Sequence, residues 1–417
     1  MKSHRVLLLS AHIGCKPNSI VSSRLYNYLT INRHQVVMDI ADADYVIVNT
    51  CGFEILREQI SIKLLSRPQY AETKLNVISV GCLNKINRDL VSKVSNVTMV
   101  DSLEELDKFF YRNKKFEECK KQSLDDQDLI HLNTAGAGDE EAASDEFGYF
   151  LKTMKLFLKM LEKVGLTSVS LEKVINEFFS INKFYLEISS GCLGNCSYCI
   201  IKKARGSLVS RTIDEIIDDL KNGYDEKSGK IIHLVADDCG CYGLDIKSNL
   251  YSLISEIQHQ FPGASIDICY LSPKWILNNE EQYLDIFRKC NINNANITIQ
   301  SGSEEILKLM NRGIDIKKLF SFIAKVREIS PHTAIWSHFL VGFPGEGVID
   351  FIKSVAALRY FDFAYAYSYS DREGTPSSNF PDKNSEFQKL VKYYIMGAAI
   401  VFKILIKSFK ISLKKNT

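Results

Sequence analysis

The sequence predicts an α/β protein. It reads as a small parallel α/β domain, then a partial (β/α)6 barrel, then a helical tail. Three observations carry that reading. Short runs rich in Val, Ile and Leu recur as buried parallel strands do. Stretches of helical length separate them, and the alternation occurs twice, on either side of an acidic break. The composition agrees: 46% of the 417 residues are apolar and 24% charged, which supports a sizeable core and excludes wholesale disorder. Lys plus Arg total 52 and Asp plus Glu 50, a net of +2, so overall charge does not point to nucleic acid.

The first domain is expected over 1–118. Its strands are Arg5–Ser10, Tyr45–Thr50, 76–80 and 97–100, with helices at 19–32, 54–66 and 87–93. The apolar run 6–9 behind Lys2 and Arg5 is too short for a secretory leader and reads as the first buried strand. Ligands of such sheets gather at the carboxyl ends of the strands. Cys15, Cys51 and Cys82 each lie at or just past such an end, so three thiols distant in sequence can converge.

Residues 119–182 break the pattern. Between Gln122 and Leu151 stand eight acids and no Lys or Arg, which reads as an acidic linker, followed by packing helices at 150–164 and 171–179. The barrel is expected over 183–381. Its strands are 184–189, 231–236, 266–270, 297–300, 335–341 and 363–369. Its helices are 212–221, 249–259, 281–289, 304–310 and 317–329. Six units suit a partial barrel, whose chemistry belongs at the carboxyl ends of the strands. Phe363, Tyr365, Tyr367 and Tyr369 alternate as packed strand residues do.

The tail, 382–417, reads as one helix. From Lys383 to Lys415 it sets eight Lys against one Glu. A solvated Lys face over a barrel-packed face is expected, with a membrane-surface or RNA-facing helix as the alternative. Its longest uncharged run, 393–402, is ten residues, and no run in the chain approaches the ~18–20 that span a bilayer.

Eleven cysteines are an odd count in a chain without a leader, which argues against a disulfide framework and for a reducing, cytoplasmic compartment. Cys192, Cys196 and Cys199 follow the first barrel strand. Three thiolates at this spacing can wrap three corners of an iron–sulfur cube and leave one iron open. A structural zinc site would want a fourth ligand nearby, and the nearest histidine, His233, sits on a predicted strand. Cys239 and Cys241 read as drift rather than a third metal pair, and Cys119, Cys269 and Cys290 as buried thiols.

Cys-x3-Cys-x2-Cys with Tyr198 before the third cysteine resembles the radical S-adenosylmethionine (SAM) enzymes. The segments 199–206, 299–303, 310–313, 341–346 and 369–376 narrow the likeness to the methylthiotransferase family, and 14–18, 43–51 and 80–82 agree with its N-terminal domain. The resemblance implies a radical SAM barrel and two [4Fe-4S] clusters. One would sit on Cys192, Cys196 and Cys199, the other, auxiliary, on Cys15, Cys51 and Cys82. Tyr198, Asp238, Gln300 and Ser301 would line the SAM pocket. By resemblance one SAM donates a methyl group to a sulfur atom. A second yields the 5′-deoxyadenosyl radical that takes hydrogen from the acceptor carbon. An electron donor such as flavodoxin or ferredoxin and a sulfur source are implied as partners. No catalytic residue beyond the clusters is expected.

The segments 204–208 and 237–246 look most like the branch that modifies N6-threonylcarbamoyladenosine beside the tRNA anticodon, so tRNA is the expected acceptor. The 37 residues after Phe380 read as helix, not as the RNA-binding TRAM barrel that tRNA-modifying members carry. A peptide or protein side chain is therefore the alternative acceptor. Another alternative is a two-cluster radical SAM enzyme that does not insert sulfur.

Overall fold

The computed structural model describes residues 2–11, 15–72, 75–119, 123–124 and 182–415. The expected acidic linker and the helices at 150–164 and 171–179 lie outside the described residues.

Five strands form the first sheet: β1 (Arg5–Ser10), β2 (Gln35–Val37), β3 (Tyr45–Thr50), β4 (Asn76–Gly81) and β5 (Val97–Met99). All pair in parallel, in the order β2-β1-β3-β4-β5. The central strands are buried on both faces, which is why they read as unbroken apolar runs. The edge strand β2 escapes a sequence reading because three residues show no period.

The second sheet holds β6 (Ser123–Leu124) and β7 (Lys183–Glu187). A small ribbon, β8 (Ser189–Ser190) with β9 (Val209–Ser210), interrupts the order. Then come β10 (Ile231–Val235), β11 (Ile266–Leu271), β12 (Ile292–Ile297), β13 (Ala334–Val341) and β14 (Phe363–Ser368). From β7 to β14 the six barrel strands are neighbours in chain order and parallel, with β6 antiparallel beyond β7. This is the expected partial six-fold barrel. One strand is displaced: β12 is Ile292–Ile297, not 297–300. Its inward positions Asn294 and Asn296 line an internal cavity, so the apolar signal marks the strand's exit instead of its body.

The helix Glu386–Lys415 packs on β14, β13 and the helix Val348–Ala357. The expected solvated Lys face is overturned along its described part. Lys389 and Lys392 are buried. Lys389 Nζ donates to the Tyr369 carbonyl at 3.2 Å, and Lys392 Nζ to Glu346 Oε2 at 3.0 Å and Asn384 Oδ1 at 2.8 Å. Lys403 donates to the carbonyls of Leu358 and Phe361. The lysines turn inward because the barrel end presents carbonyl oxygens and a buried carboxylate that need donors. Among the described residues no helix is long and apolar enough to cross a membrane.

The first domain closes on the barrel interior. Tyr185 of β7 and Val235 of β10 join its core, and Lys16 Nζ sits 4.6 Å over the Tyr185 ring. Arg372 bridges the two units, with Nη1 2.9 Å from Glu58 Oε1 and Nη2 donating to the Gly52 carbonyl at 2.7 Å.

Candidate active site

Both cysteine loops are launched by a glycine in the left-handed region. Gly191 has φ +78, and a Cβ there would meet the Ser207 carbonyl oxygen at 2.1 Å. Gly81 has φ +99, and a Cβ would meet the Thr50 carbonyl oxygen at 2.5 Å. Only glycine turns a strand end this sharply at no steric cost. Cys192 and Cys82 follow directly.

The loop 191–199 is pinned to the end of the helix Glu304–Leu309. Ser197 donates its N–H to the Met310 carbonyl at 3.0 Å and its hydroxyl to the Leu309 carbonyl at 2.8 Å, and Asn311 Nδ2 donates to Asn195 O at 2.8 Å. Arg312 enters next. Its Nη1 lies 3.4 Å from Cys196 Sγ and 3.2 Å from Tyr198 Oη, and its Nη2 donates to Ser272 Oγ at 3.3 Å and the Thr298 carbonyl at 2.5 Å. Burial works against this guanidinium's charge, but Tyr198, Cys196 and Asp238 outweigh it, and Arg312 stays a cation.

Asp238 caps a short turn and is held by three donors: Gly240 N–H at 3.1 Å, Ser272 N–H at 3.2 Å and Trp275 Nε1 at 2.7 Å. Burial pushes its carboxyl up, and those hydrogen bonds oppose the shift. Cys241 lies beside the first cysteine loop. Cys192, Asp238 and Cys241 place their ligand atoms within 4.8 Å of one another. The Cys241 thiol beside Cys192 holds the latter below the ordinary cysteine range and is itself pushed up by the same contact. Cys239 is a fully buried thiol, 3.7 Å from the Leu234 carbonyl oxygen.

The second triad gathers at the carboxyl ends of β1, β3 and β4. Cys15 precedes the helix Lys16–Ile31, and Cys82 opens the helix Cys82–Ile86. Ser61 Oγ accepts the Cys51 N–H at 2.9 Å and fixes that loop. Burial pushes the Cys15 thiol up to about 11, and the nearby Cys82 adds to it. Cys51 is likewise raised by burial first, with Cys15 and Cys82 adding to it. Cys82 packs with Ile86, and with Ile200 and Ala204 across the domain boundary. Lys203 Nζ donates to Ile86 O at 2.9 Å, and Arg205 lies in the combined field of Cys82, Asp237, Cys15 and Glu187.

A cavity of about 610 Å³ reaches from the loop 191–199 to Cys15, while Cys51 and Cys82 are not in its lining. Cys15, Cys192, Cys196 and Cys199 line it, as do Tyr198, Asp238 and Gln300. Gln300 holds φ +77, with its N–H donating to the His338 carbonyl at 2.8 Å and its carbonyl accepting from Leu340 at 2.9 Å. Ser301 is fully buried outside the lining; its hydroxyl lies 3.2 Å from Ser354 Oγ and accepts the Ser303 N–H at 3.2 Å. Tyr270, His338, Tyr365 and Tyr367 also wall the cavity, and Phe53 meets Tyr367 edge-on at 6.1 Å. Of the four alternating aromatics expected to pack, then, Phe363 is core while Tyr365 and Tyr367 face open space. Burial, with Arg312 second, brings His338 down to about 3, so it is neutral.

The Radical SAM superfamily matches residues 186–358, and the uncharacterized protein family UPF0004 matches 8–101. The ribosomal protein uS12 methylthiotransferase RimO of Natranaerobius thermophilus is 29% identical over 396 residues, 91% of this chain and 79% of that protein. A probable threonylcarbamoyladenosine tRNA methylthiotransferase of Pyrococcus horikoshii is 26% identical over 377 residues, 87% of this chain and 76% of that protein. The chain belongs to the radical SAM methylthiotransferase family. Among solved structures, the radical SAM methyltransferase TsrM of Kitasatospora setae, with cobalamin and a [4Fe-4S] cluster, shares the fold at TM-score 0.56 and 14% identity, over 90% of this chain and 77% of that one.

The enzyme is thus a methylthiotransferase whose cofactors are SAM and two [4Fe-4S] clusters. Its donor chemistry suits them. Burial pushes Cys199 up to about 12 as well as Cys15 to about 11, a cost that falls away when a thiolate is bound to a cationic metal centre. Cys192, Cys196 and Cys199 in one loop, and Cys15, Cys51 and Cys82 at three strand ends, offer three thiols for each cluster, a number that leaves one iron open. Arg312 and Arg372 were within reach of a sequence reading, since both stand in segments that carry the family likeness. Trp275 had no such signal, and Cys241, though it stands in the segment 237–246, was read as drift.

Proposed function

We propose that this enzyme places a methylthio group on an unactivated carbon of a peptide or protein side chain. In this reading Cys192, Cys196 and Cys199 ligate one cluster, and Cys15, Cys51 and Cys82 the auxiliary one. The observation that carries it is the cavity lined by both Cys15 and the loop 191–199, because the radical source and the sulfur donor must flank one substrate carbon. When bound, SAM and the clusters supply hydrogen abstraction from that carbon and the methylthio group that replaces the hydrogen.

The chain's own residues then hold and shield. Tyr198, Asp238 and Gln300 border the SAM side of the cavity, and Ser301 fixes the turn after Gln300. Arg312 donates to Cys196 and Tyr198 together and so ties the cluster loop to the barrel floor. The aromatic wall of Tyr270, Tyr365 and Tyr367 excludes water. Neutral His338 offers hydrogen bonds without a proton to give at neutral pH. Residues 1–118 would carry the auxiliary cluster, 183–381 the radical source and 382–417 the tail, joined by 119–182. A cytoplasmic location, flavodoxin or ferredoxin as electron donor and a separate sulfur source complete the reading.

The tRNA expectation rests on the likeness of 204–208 and 237–246 to the tRNA branch, and the tail is the cationic surface it would need. With Lys389, Lys392 and Lys403 turned inward and Lys383 paired with Asp371, half of its eight lysines are engaged. RNA affinity rests on phosphate contacts that such lysines cannot make. The RimO relatives, named for a ribosomal protein, favour the peptide reading.

The test is anaerobic reconstitution, then mass analysis of ribosomal proteins, small peptides and tRNA after incubation with SAM and reductant. Two clusters require about eight irons per chain. About four would overturn the auxiliary site. A methylthio gain on tRNA alone would overturn the peptide acceptor.

A further inference from the structure

Asn296 lines the cavity with half of its amide unmet. The residue is 6% exposed, and among the described residues its Oδ1 has no hydrogen-bond partner. Its Nδ2 lies 3.0 Å from Nε2 of His338, which lines the same cavity and is also 6% exposed. With Nδ2 as the donor, His338 Nε2 accepts, and the neutral ring carries its proton on Nδ1. The pair thus offers the cavity one acceptor, Asn296 Oδ1, and one donor, His338 Nδ1–H. Turning the amide over exchanges the two roles and still leaves one donor and one acceptor. A polar atom held this deep without a partner costs stability unless a ligand meets it.

Three tyrosines frame the pair. Tyr270, Tyr365 and Tyr367 meet the His338 ring edge-on, with centroids 5.6, 5.4 and 5.4 Å away. Tyr270 holds φ +48 at an irregular step of the β11–β12 ladder, a conformation that bulky side chains rarely adopt outside functional sites. On the radical side, Gln300 donates its N–H to the His338 carbonyl at 2.8 Å. Arg312, which touches Cys196, also reaches Thr298 Oγ1 at 3.2 Å, one inward position along the chain from Asn296. On the other side, Tyr367 meets Phe53, two residues after Cys51.

Nothing in this frame answers an ionised group. His338 is neutral, and burial holds the three tyrosine hydroxyls above their ordinary value. Arg312 is engaged with Cys196, Tyr198 and Thr298, and deeper in the cavity Lys183 Nζ sits 2.8 Å from Asp267 Oδ2. The matching ligand is uncharged and offers a donor and an acceptor side by side. A primary carboxamide carries its C=O and one N–H on the same edge, whereas a trans peptide bond sets them on opposite sides.

We propose that Asn296 and His338 form an acceptor-recognition subsite and that the group they grip is a primary carboxamide, the side chain of an Asn or Gln in the acceptor peptide. The grip fixes the register of the acceptor and so decides which carbon faces the radical. This deepens the peptide reading and rests on it.

The test is a ligand-observed NMR titration of the full, cluster-loaded chain, saturated with SAM and kept without reductant. The probes are butyramide, butyrate, methyl propyl ketone and adenosine. Butyramide is expected to bind about tenfold more tightly than butyrate or the ketone, each of which lacks the donor. Asn296→Leu combined with His338→Phe should erase that preference. The melting temperature of this variant should not fall, because the unmet acceptor leaves together with its partner. Iron content and far-UV circular dichroism report its folding, and the titration of the parent chain decides the matter without it. Equal binding of the probes, or a preference for butyrate, would overturn the proposal. So would a preference that the variant keeps, or a melting temperature several degrees lower, which would make the pair a core contact. Adenosine binding more tightly than butyramide would overturn it in favour of a nucleobase. Methylthiolated tRNA in the product analysis would sink the peptide reading itself, while the titration still reports whether the subsite prefers a carboxamide, so the two failures are told apart.

Discussion

Arg312 gathers Cys196, Tyr198, Ser272 and Thr298, four groups spread over a hundred residues of chain, around one guanidinium. Hydrogen bonds to cluster sulfurs help set the reduction potential. Arg312→Gln is therefore expected to leave the iron content nearly intact while lowering the potential of the radical SAM cluster and weakening SAM binding. A redox titration followed by paramagnetic resonance checks it; an unchanged potential would leave Arg312 a structural role only. His338 makes a pH prediction. Burial first, and Arg312 second, hold its folded value at about 3, while the unfolded imidazole titrates near ~6.5. Below that unfolded value the unfolded chain takes up a proton that the fold refuses, so stability is lost as pH falls from about 6.5 towards 3. The loss from this one group between pH 7 and 5 is about 2 kcal/mol. Denaturant unfolding at both pH values should show that slope in the parent and its absence in His338→Gln.

At the scale of elements the tail helix depends on one buried pair. Lys392 Nζ meets Glu346 Oε2, which also accepts the Gly342 N–H at 2.7 Å. Burial raises the Glu346 carboxyl and Lys392 opposes it. Lys392→Met strands that carboxylate and should cost about 3–5 kcal/mol, with the tail becoming an early target for protease. The deficit should shrink at low pH, because a carboxyl with a raised folded value binds its proton more tightly in the fold than in the unfolded chain. Adding Glu346→Gln should restore most of the loss; if it does not, the pair is not what anchors the helix. The cluster loops have a similar single point of dependence. Gly191→Ala forces a side chain to φ +78 and against the Ser207 carbonyl. Iron at the radical SAM site should fall by half or more on reconstitution while the auxiliary site still loads.

For the whole molecule the decisive contact is between the two sheets' strand ends. Arg372 holds Glu58 at 2.9 Å and the Gly52 carbonyl at 2.7 Å, next to Cys51. Arg372→Met leaves Glu58 buried without that cation, a change worth about 3–5 kcal/mol at the domain boundary. Both clusters should still assemble and SAM should still be cleaved, but the ratio of methylthiolated product to 5′-deoxyadenosine should drop several-fold as the sulfur source moves off the radical's line. Hydrogen exchange over the helix Ile55–Leu65 should quicken in parallel. Unaltered coupling would mean that other contacts, such as Lys203 with the Ile86 carbonyl, suffice to hold the domains.

Sequence alone determined the alternation of strands and helices and the loop 191–199, because those features are local. A buried parallel strand must be apolar throughout, and a turn that presents three thiols needs its glycine and cysteines within nine residues. The same logic placed Cys15, Cys51 and Cys82 at strand ends before any fold was known. It failed at β12, where Asn294 and Asn296 face a cavity and erase the apolar period. Nor could it place Cys241 beside Cys192 and Asp238, a proximity that only the fold supplies. The tail was misjudged for a related reason. Seven lysines in one helix suggest a wet face, yet which side is wet depends on what the helix packs against. Only the tertiary structure supplies Glu346 and the Leu358 and Phe361 carbonyls that draw Lys392 and Lys403 inward while Phe387 and Phe402 stay outside. A side chain's direction follows from its partner across space, and one chain position does not contain it.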